Sequence, residues 1–333
     1  MNGDQHMKRT IRTAAIFALA SLCLCPSAGA AVVSIEIHGA QSVVPTAIND
    51  SGQVAGMYFT KANTWRGFLR QPDGTLTTFA IPGAFRTVPR GISATGVITG
   101  VYAINVYPGG FVRAVDGTLT IFQVPHGPYV EPFGVNPNGW SVGDFIRNTH
   151  SRRRPFLRDP SGAVTEFTIP HASGGTVAKA VNSSQTIAGE TLLKGESYPR
   201  GFVRAADGAI TLFGDPDIYV SGMNDDGTIA GALLLEKKAF VRTSDGTITA
   251  FVGPNGPVST NPFAINNSGT IAGQFDAGDQ TFHGFIRSAD GTIAPFDVAG
   301  SVDTVITAIN NNGVIAGHYY TEKGTDIGFV GTP

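Results

Sequence analysis

The sequence predicts an all-β fold, a seven-bladed β-propeller of four-stranded blades closed by its own N-terminal strand. Three observations carry that expectation. First, one twelve-residue stretch recurs: "AINDSGQVAGMY" from Ala47, "AVNSSQTIAGET" from Ala180, "AINNSGTIAGQF" from Ala264 and "AINNNGVIAGHY" from Ala308. Its Asn marks equivalent positions at Asn49, Ser93, Asn136, Asn182, Asn224, Asn266 and Asn310, separated by 44, 43, 46, 42, 42 and 44 residues. Second, each copy holds four short β-forming runs, and such a unit repeated every forty-odd residues is the sequence signature of a propeller. Third, the ends complement each other. The last copy stops after "DIGFVGTP" without a fourth strand, while "VVSIEIHGA" from Val32 resembles the ends of fourth strands such as "FDVAGS" from Phe296. Pairing the two removes the exposed edges of a repeat array.

Each copy follows one template. The first strand ends in the Asn tripeptide and turns at Gly52, Gly96, Gly139, Gly227, Gly269 or Gly313, with Gln185 standing there in the fourth copy. The second strand holds a Gly in every copy (56, 100, 143, 189, 231, 273 and 317), expected to allow close approach between neighbouring sheets. The third strand carries Phe68, Phe111, Phe156, Phe202, Phe240, Phe285 or Phe329. An Asp-Gly turn, a strong hairpin signal, leads from it into the fourth strand in most copies. Fourth strands add Phe79, Phe122, Phe167, Phe213, Phe251 and Phe296, with Ile35 in the corresponding place of the closing strand. Phenylalanines recurring at the repeat period read as core between blades. An arginine two residues after six of the seven third-strand Phe (Arg70, Arg113, Arg158, Arg204, Arg242 and Arg287) reads as a clamp on the turn Asp or on a turn carbonyl.

The first thirty residues read separately. Lys8, Arg9 and Arg12 precede the apolar run "AAIFALASLCLC", and "AGA" at 28–30 offers a cleavage site. This is the pattern of a secretory signal peptide, with residues 31–333 left as one propeller domain, secreted or periplasmic. Both cysteines, Cys23 and Cys25, lie in the leader, so the remainder has no disulfide or thiol chemistry. Of the 23 basic and 25 acidic residues, the leader holds Lys8, Arg9, Arg12 and Asp4, which leaves a mildly acidic chain. That balance argues against nucleic acid or an anionic membrane as partner, and no membrane span remains after cleavage. A monomer is expected.

At the residues "INNSGTIAGQF", "HGFIR" and "DGTIAPFDV" of the sixth copy, the chain resembles the probable extracellular repeats of the HAF family of exported bacterial proteins, and the resemblance extends over residues 32–330. It implies an exported repeat protein and brings no catalytic residues with it. The fourth strands, such as "SGAVTEFTIP" from Ser161, are also similar to those of streptogramin lyase propellers, although the inner segment usual in those enzymes has no counterpart here.

No nucleophile elbow, zinc-binding helix motif, phosphate loop or dinucleotide fingerprint occurs. Function is therefore expected where the copies differ, in the loops between second and third strands and in the connections from fourth to first strands. Those segments gather Trp65, Tyr107, His150, Arg152, Tyr198 and His283, and Gln274 lies at the end of a second strand beside them. Aromatic, amide and charged groups together suit recognition of a glycan, a peptide or an envelope or extracellular protein. This non-catalytic reading is the leading one. The alternative is an enzyme of lyase or hydrolase type. Asp144, Glu190 and His318 each follow the universal second-strand Gly and are its catalytic candidates, with a divalent metal as the sole cofactor in view.

Overall fold

The computed structural model describes residues 31–124, 127–147, 152–279 and 281–333. The leader and its cleavage site, and His150, lie outside the described residues. Every regular element among the described residues is a β-strand. The first repeat forms an antiparallel meander of Ala40–Ile48, Val54–Thr60, Trp65–Arg70 and Leu76–Phe79. The next five repeats build the same four-stranded meander. In the last, Ser301–Ile309, Ile315–Thr321 and Asp326–Thr332 are followed by the N-terminal strand Ala31–Ile35, which pairs antiparallel with Asp326–Thr332 from Ala31↔Thr332 to Ile35↔Gly328. First strands lie side by side in chain order, and Ser301–Ile309 returns to Ala40–Ile48.

The core lies between sheets, as the periodic phenylalanines require. Each fourth-strand Phe meets the third-strand Phe of the following repeat: Phe79 with Phe111, Phe122 with Phe156, and so on to Phe296 with Phe329, at centroid separations of 6.0–6.4 Å. Five of the six pairs are edge-on, the arrangement that ring quadrupoles favour. All seven third-strand rings are fully buried.

The recurring arginines cap turn carbonyls and do more besides. Nη1 of Arg113, Arg158, Arg242 and Arg287 donates to the carbonyl of the next residue at 3.1–3.4 Å. Each guanidinium also lies over the fourth-strand Phe of the preceding repeat, as Arg113 over Phe79 at 5.2 Å and Arg242 over Phe213 at 4.8 Å. The turn Asp does not pair with it. Asp73, Asp116 and Asp290 instead accept the backbone N–H two residues on. Arg70 is the exception that fits the rule, because the sheet before it offers Ile35 and no ring.

The universal second-strand glycine has a cause other than the expected one. Each first strand carries a β-bulge, with pairing that skips from Pro45 to Ala47 in the first repeat and at the equivalent place in the other six. The bulge drives a carbonyl of the same sheet onto the glycine. A Cβ on Gly189 would stand 2.1 Å from the Val177 oxygen, and one on Gly100 would stand 2.2 Å from that of Val88. The close approach is within a sheet, not between sheets.

Candidate functional site

At the ends of the first strands the Asn side chain works in two directions. Oδ1 of Asn266 accepts the N–H of Thr270 within its own turn, while Nδ2 donates to the carbonyl of Asn310 in the next repeat at 3.0 Å. Asn136, Asn224 and Asn310 do likewise, reaching Asn182, Asn266 and Asn49. A second belt runs one residue further out, where Asp50 and Asp225 accept from Asn311 and Asn267. Together these belts line a polar depression of about 180 Å³, behind which stand the aliphatic ends of the first strands, including Ile48, Val135 and Met223. Its amides and carboxylates are spent on one another, so this end of the molecule is built for cohesion.

The other end of the first strands carries charge. Asp144 is fully buried in Ser141–Ile146, and Arg153 Nη1 donates to both its oxygens at 2.9 and 3.0 Å. The same guanidinium reaches Glu131 at 3.3 Å and the Tyr129 hydroxyl at 3.2 Å, while it lies over the Tyr129 ring at 5.3 Å. Tyr129 donates to Glu131 at 2.6 Å, and Arg90 of the preceding repeat closes on Glu131 at 3.2 Å. In the next repeat Glu190 accepts the Val220 N–H at 3.1 Å, with the Lys179 ammonium 3.6 Å away and placed over Phe133. Three cations and three carboxylates thus run across the second to fourth repeats.

The electrostatics follow from burial. Loss of water raises the Asp144 carboxyl to about 7, with Arg153 opposing the rise and the Glu131 charge adding to it. Burial likewise raises Glu190 against the pull of Lys179 and the Val220 N–H. Glu131 goes the other way. Burial pushes it up, but the Tyr129 hydroxyl, Arg90 and Arg153 together outweigh that and hold it below its ordinary value. A buried pair of this kind resists removal of one partner, at about 3–5 kcal/mol, because the other is left charged in a poorly solvating place.

Of the three catalytic candidates, the structure sets two in neighbouring ion-paired groups, Asp144 on Arg153 and Glu190 beside Lys179. Asp144 and Glu190 belong to the charged cluster, each already engaged. His318 stands apart: its Nδ1 meets Asp326 at 2.7 Å, Asp326 in turn accepts from Ser42 at 2.7 Å, and the imidazole packs edge-on against Tyr320. It shares no hydrogen bond or ion pair with either carboxylate among the described residues. Nor do three His, Cys, Asp or Glu side chains converge as metal ligands among those residues.

The ligand-binding candidates occupy the loop rim. Trp65 tilts against Phe59 at 4.9 Å, and Tyr107 and Tyr198 are exposed. Arg152 bonds the Ser173 carbonyl and lies in a groove of about 350 Å³ with Arg154, Phe167 and Ile169. Gln274 sits in Ile271–Asp276, partly exposed and paired across the strands with Asn261. His283 stacks on Phe275 at 5.3 Å and joins Asp297 at 3.0 Å and Thr281 at 3.0 Å. Among the described residues, no hydrogen bond or aromatic contact joins any two of these candidate side chains.

Arg153, Glu131 and Lys179 were not singled out by the sequence. Reading the copies as aligned columns would have found Glu131, the one charged residue in a column that is otherwise Val44, Val88, Val177, Tyr219, Asn261 and Val305.

No family model matches the chain, and no curated protein sequence matches it. Its similarity to solved structures is one of fold. The virginiamycin B lyase from Staphylococcus aureus superposes with a TM-score of 0.62 at 16% identity, over 91% of this chain and all of that one. A streptogramin B lyase gives 0.60 at 15% identity, over 90% of this chain and 97% of that chain. Puromycin hydrolase gives 0.59 at 12% identity over 88% of this chain, which spans about half of that protein (52%). The β-propeller domain of Myceliophteria thermophila Cps50 (Swd1) gives 0.53 at 9% identity. Lyases, a hydrolase and a β-propeller domain therefore share this backbone, and the chain is an all-β protein of propeller type.

Proposed function

We propose that the chain is an exported, non-catalytic binding propeller that engages a peptide or protein segment across the face bearing its variable loops. In this reading the ring has seven blades and is closed by its N-terminal strand. Seven repeats, the pairing of Ala31–Ile35 with Asp326–Thr332, and the Asn310 amide on the Asn49 carbonyl support that closure. The basic, apolar and small-residue order of the leader supports export.

The observation that carries the binding reading is the apolar character of the loop rim. Phe85, Val106, Tyr107, Tyr198, Leu235 and Val258 are all exposed, Val106 to 83%, and all lie in second-to-third loops or fourth-to-first connections. Tyr and Phe alone would suit a sugar ring as well. Exposed Val and Leu gain little from a polyol but bury well against apolar side chains of a peptide. The enzyme alternative, by contrast, needs Asp144, Glu190 and His318 around one substrate, while Arg153, Lys179 and Asp326 hold them in separate arrangements.

Selection of a displayed random peptide library on the full chain tests this. Selected peptides should bind saturably and lose affinity in Tyr107→Ala and Leu235→Asp. A thermal-shift panel run beside it supplies the contrary result: stabilisation by glycans alone, with no peptide selected, would replace the peptide reading by a lectin-like one.

A further inference from the structure

The residue at the first-strand bulge differs from everything around it. The position before it is Pro, Ala, Val or Ile and is buried in all repeats; the position after it is Ala or Gly. The bulge position itself is Thr46, Arg90, Phe133, Lys179, Ser221, Phe263 and Thr307, and every one of these is partly or fully exposed. A bulge re-aims its side chain, and bulges occur beside functional sites. First strands lie side by side in chain order, so their bulge positions form one belt around the space those strands enclose. No single packing role accounts for a column that mixes cations, aromatic rings and hydroxyls between uniform neighbours.

The chemistry of that space is specific. Arg90, Phe133 and Lys179 follow one another in consecutive repeats, with the Lys179 ammonium 4.2 Å from the Phe133 centroid. Phe263, three repeats beyond Phe133, is 39% exposed. No bulge residue is acidic. Glu131 and Glu190 stand behind the two cations, but Arg90 gives Glu131 one N–H, from Nη2, and its side chain stays 31% exposed. Lys179 lies 3.6 Å from Glu190 and makes no hydrogen bond among the described residues. Two cations thus keep donors in hand, while the carboxylates behind them would repel a dianion. A monoanion with a flat body fits both constraints.

We propose that this ring of bulge residues is a ligand site on the propeller axis for a carboxylate borne on a ring. Arg90 and Lys179 take the carboxylate, and Phe133 and Phe263 take the faces of the ring. Acidic saccharides and aromatic acids share this chemistry. The site lies on the axis, away from the outer loop rim, and neither reading depends on the other.

Isothermal titration of the full chain with galacturonate and with benzoate, both monoanions and each beside its methyl ester, tests the assignment. One acid should bind saturably while its ester does not, and the acid that binds tells saccharide from aromatic source. Lys179→Met and Arg90→Gln should each weaken that binding by roughly tenfold or more, the worth of a charge-assisted hydrogen bond, while Lys179→Arg should retain it. If Arg90→Gln or Lys179→Met unfolds the chain by stranding Glu131 or Glu190, Phe263→Ala, exposed and outside both ion pairs, decides by weakening the binding. Failure of both acids to bind, equal binding of acid and ester, or indifference to Lys179→Met would overturn the assignment.

Discussion

The side-chain amide of Asn310 donates to the backbone carbonyl of Asn49 at 3.0 Å, which ties the last repeat to the first. The same residue's Oδ1 accepts the Val314 N–H at 2.9 Å, so one side chain sets its own turn and bridges to the next. Asn310→Ala should therefore cost about 1–3 kcal/mol through two broken bonds and an unpaired buried group. The second repeat is the natural counter-experiment. Ser93 accepts the Val97 N–H at 3.0 Å as an Asn would, but it has no amide to extend to Asn136. Ser93→Asn should stabilise by about 0.5–1.5 kcal/mol. Thermal denaturation of the two variants measures both, and opposite signs are required.

Arg113 lies over Phe79, whereas Arg70 faces the sheet that offers Ile35 in place of a ring. The two arginines make the same carbonyl contact, at 3.4 and 3.1 Å. Arg113→Ala should then cost more than Arg70→Ala by about 0.5–2 kcal/mol, the cation–π contribution. Urea midpoints compare them directly. Equal losses would reduce the arginine to its carbonyl cap.

In the fourth repeat Gln185 takes the turn position that Gly occupies elsewhere, and it does so at a φ of 63°. A side chain in the left-handed region costs about 1–2 kcal/mol, partly offset by the greater freedom of glycine when unfolded. Gln185→Gly is expected to raise the melting temperature. A fall would mean that the Gln side chain contributes more than its backbone costs.

Burial lowers the pKa of His283, but Asp297 and Asp279 outweigh it and leave the imidazole above its ordinary value. The sign follows. The stabilisation is complete below the unfolded value of about 6.5 and is lost as pH rises through the higher folded value. It is modest, since the ring is partly solvated. Imidazole resonances should titrate above 6.5 in the full chain and shift downward in Asp297→Asn. A midpoint at or below the ordinary value would remove the pairing from solution.

Much of this molecule is written in its period. The spacing of Asn, Gly and Phe determined strand order, turn positions and the phenylalanine core, because those groups act within a repeat or identically between repeats. Local signals of that kind survive translation into sequence. What the tertiary structure alone decided is who faces whom across repeats and loops. Arg153 reads as one of three solvated arginines, yet folding brings it onto Asp144 and Glu131 of the second and first strands of its own sheet. His318 looks like a companion of Asp144 by column, yet Asp326 eight residues on captures it. The bulge that explains every second-strand glycine leaves no mark of its own, since it is a register shift and not a residue type. Ion pairs and bulges depend on distances of a few ångströms between neighbouring strands, and such distances exist only after the sheets have assembled.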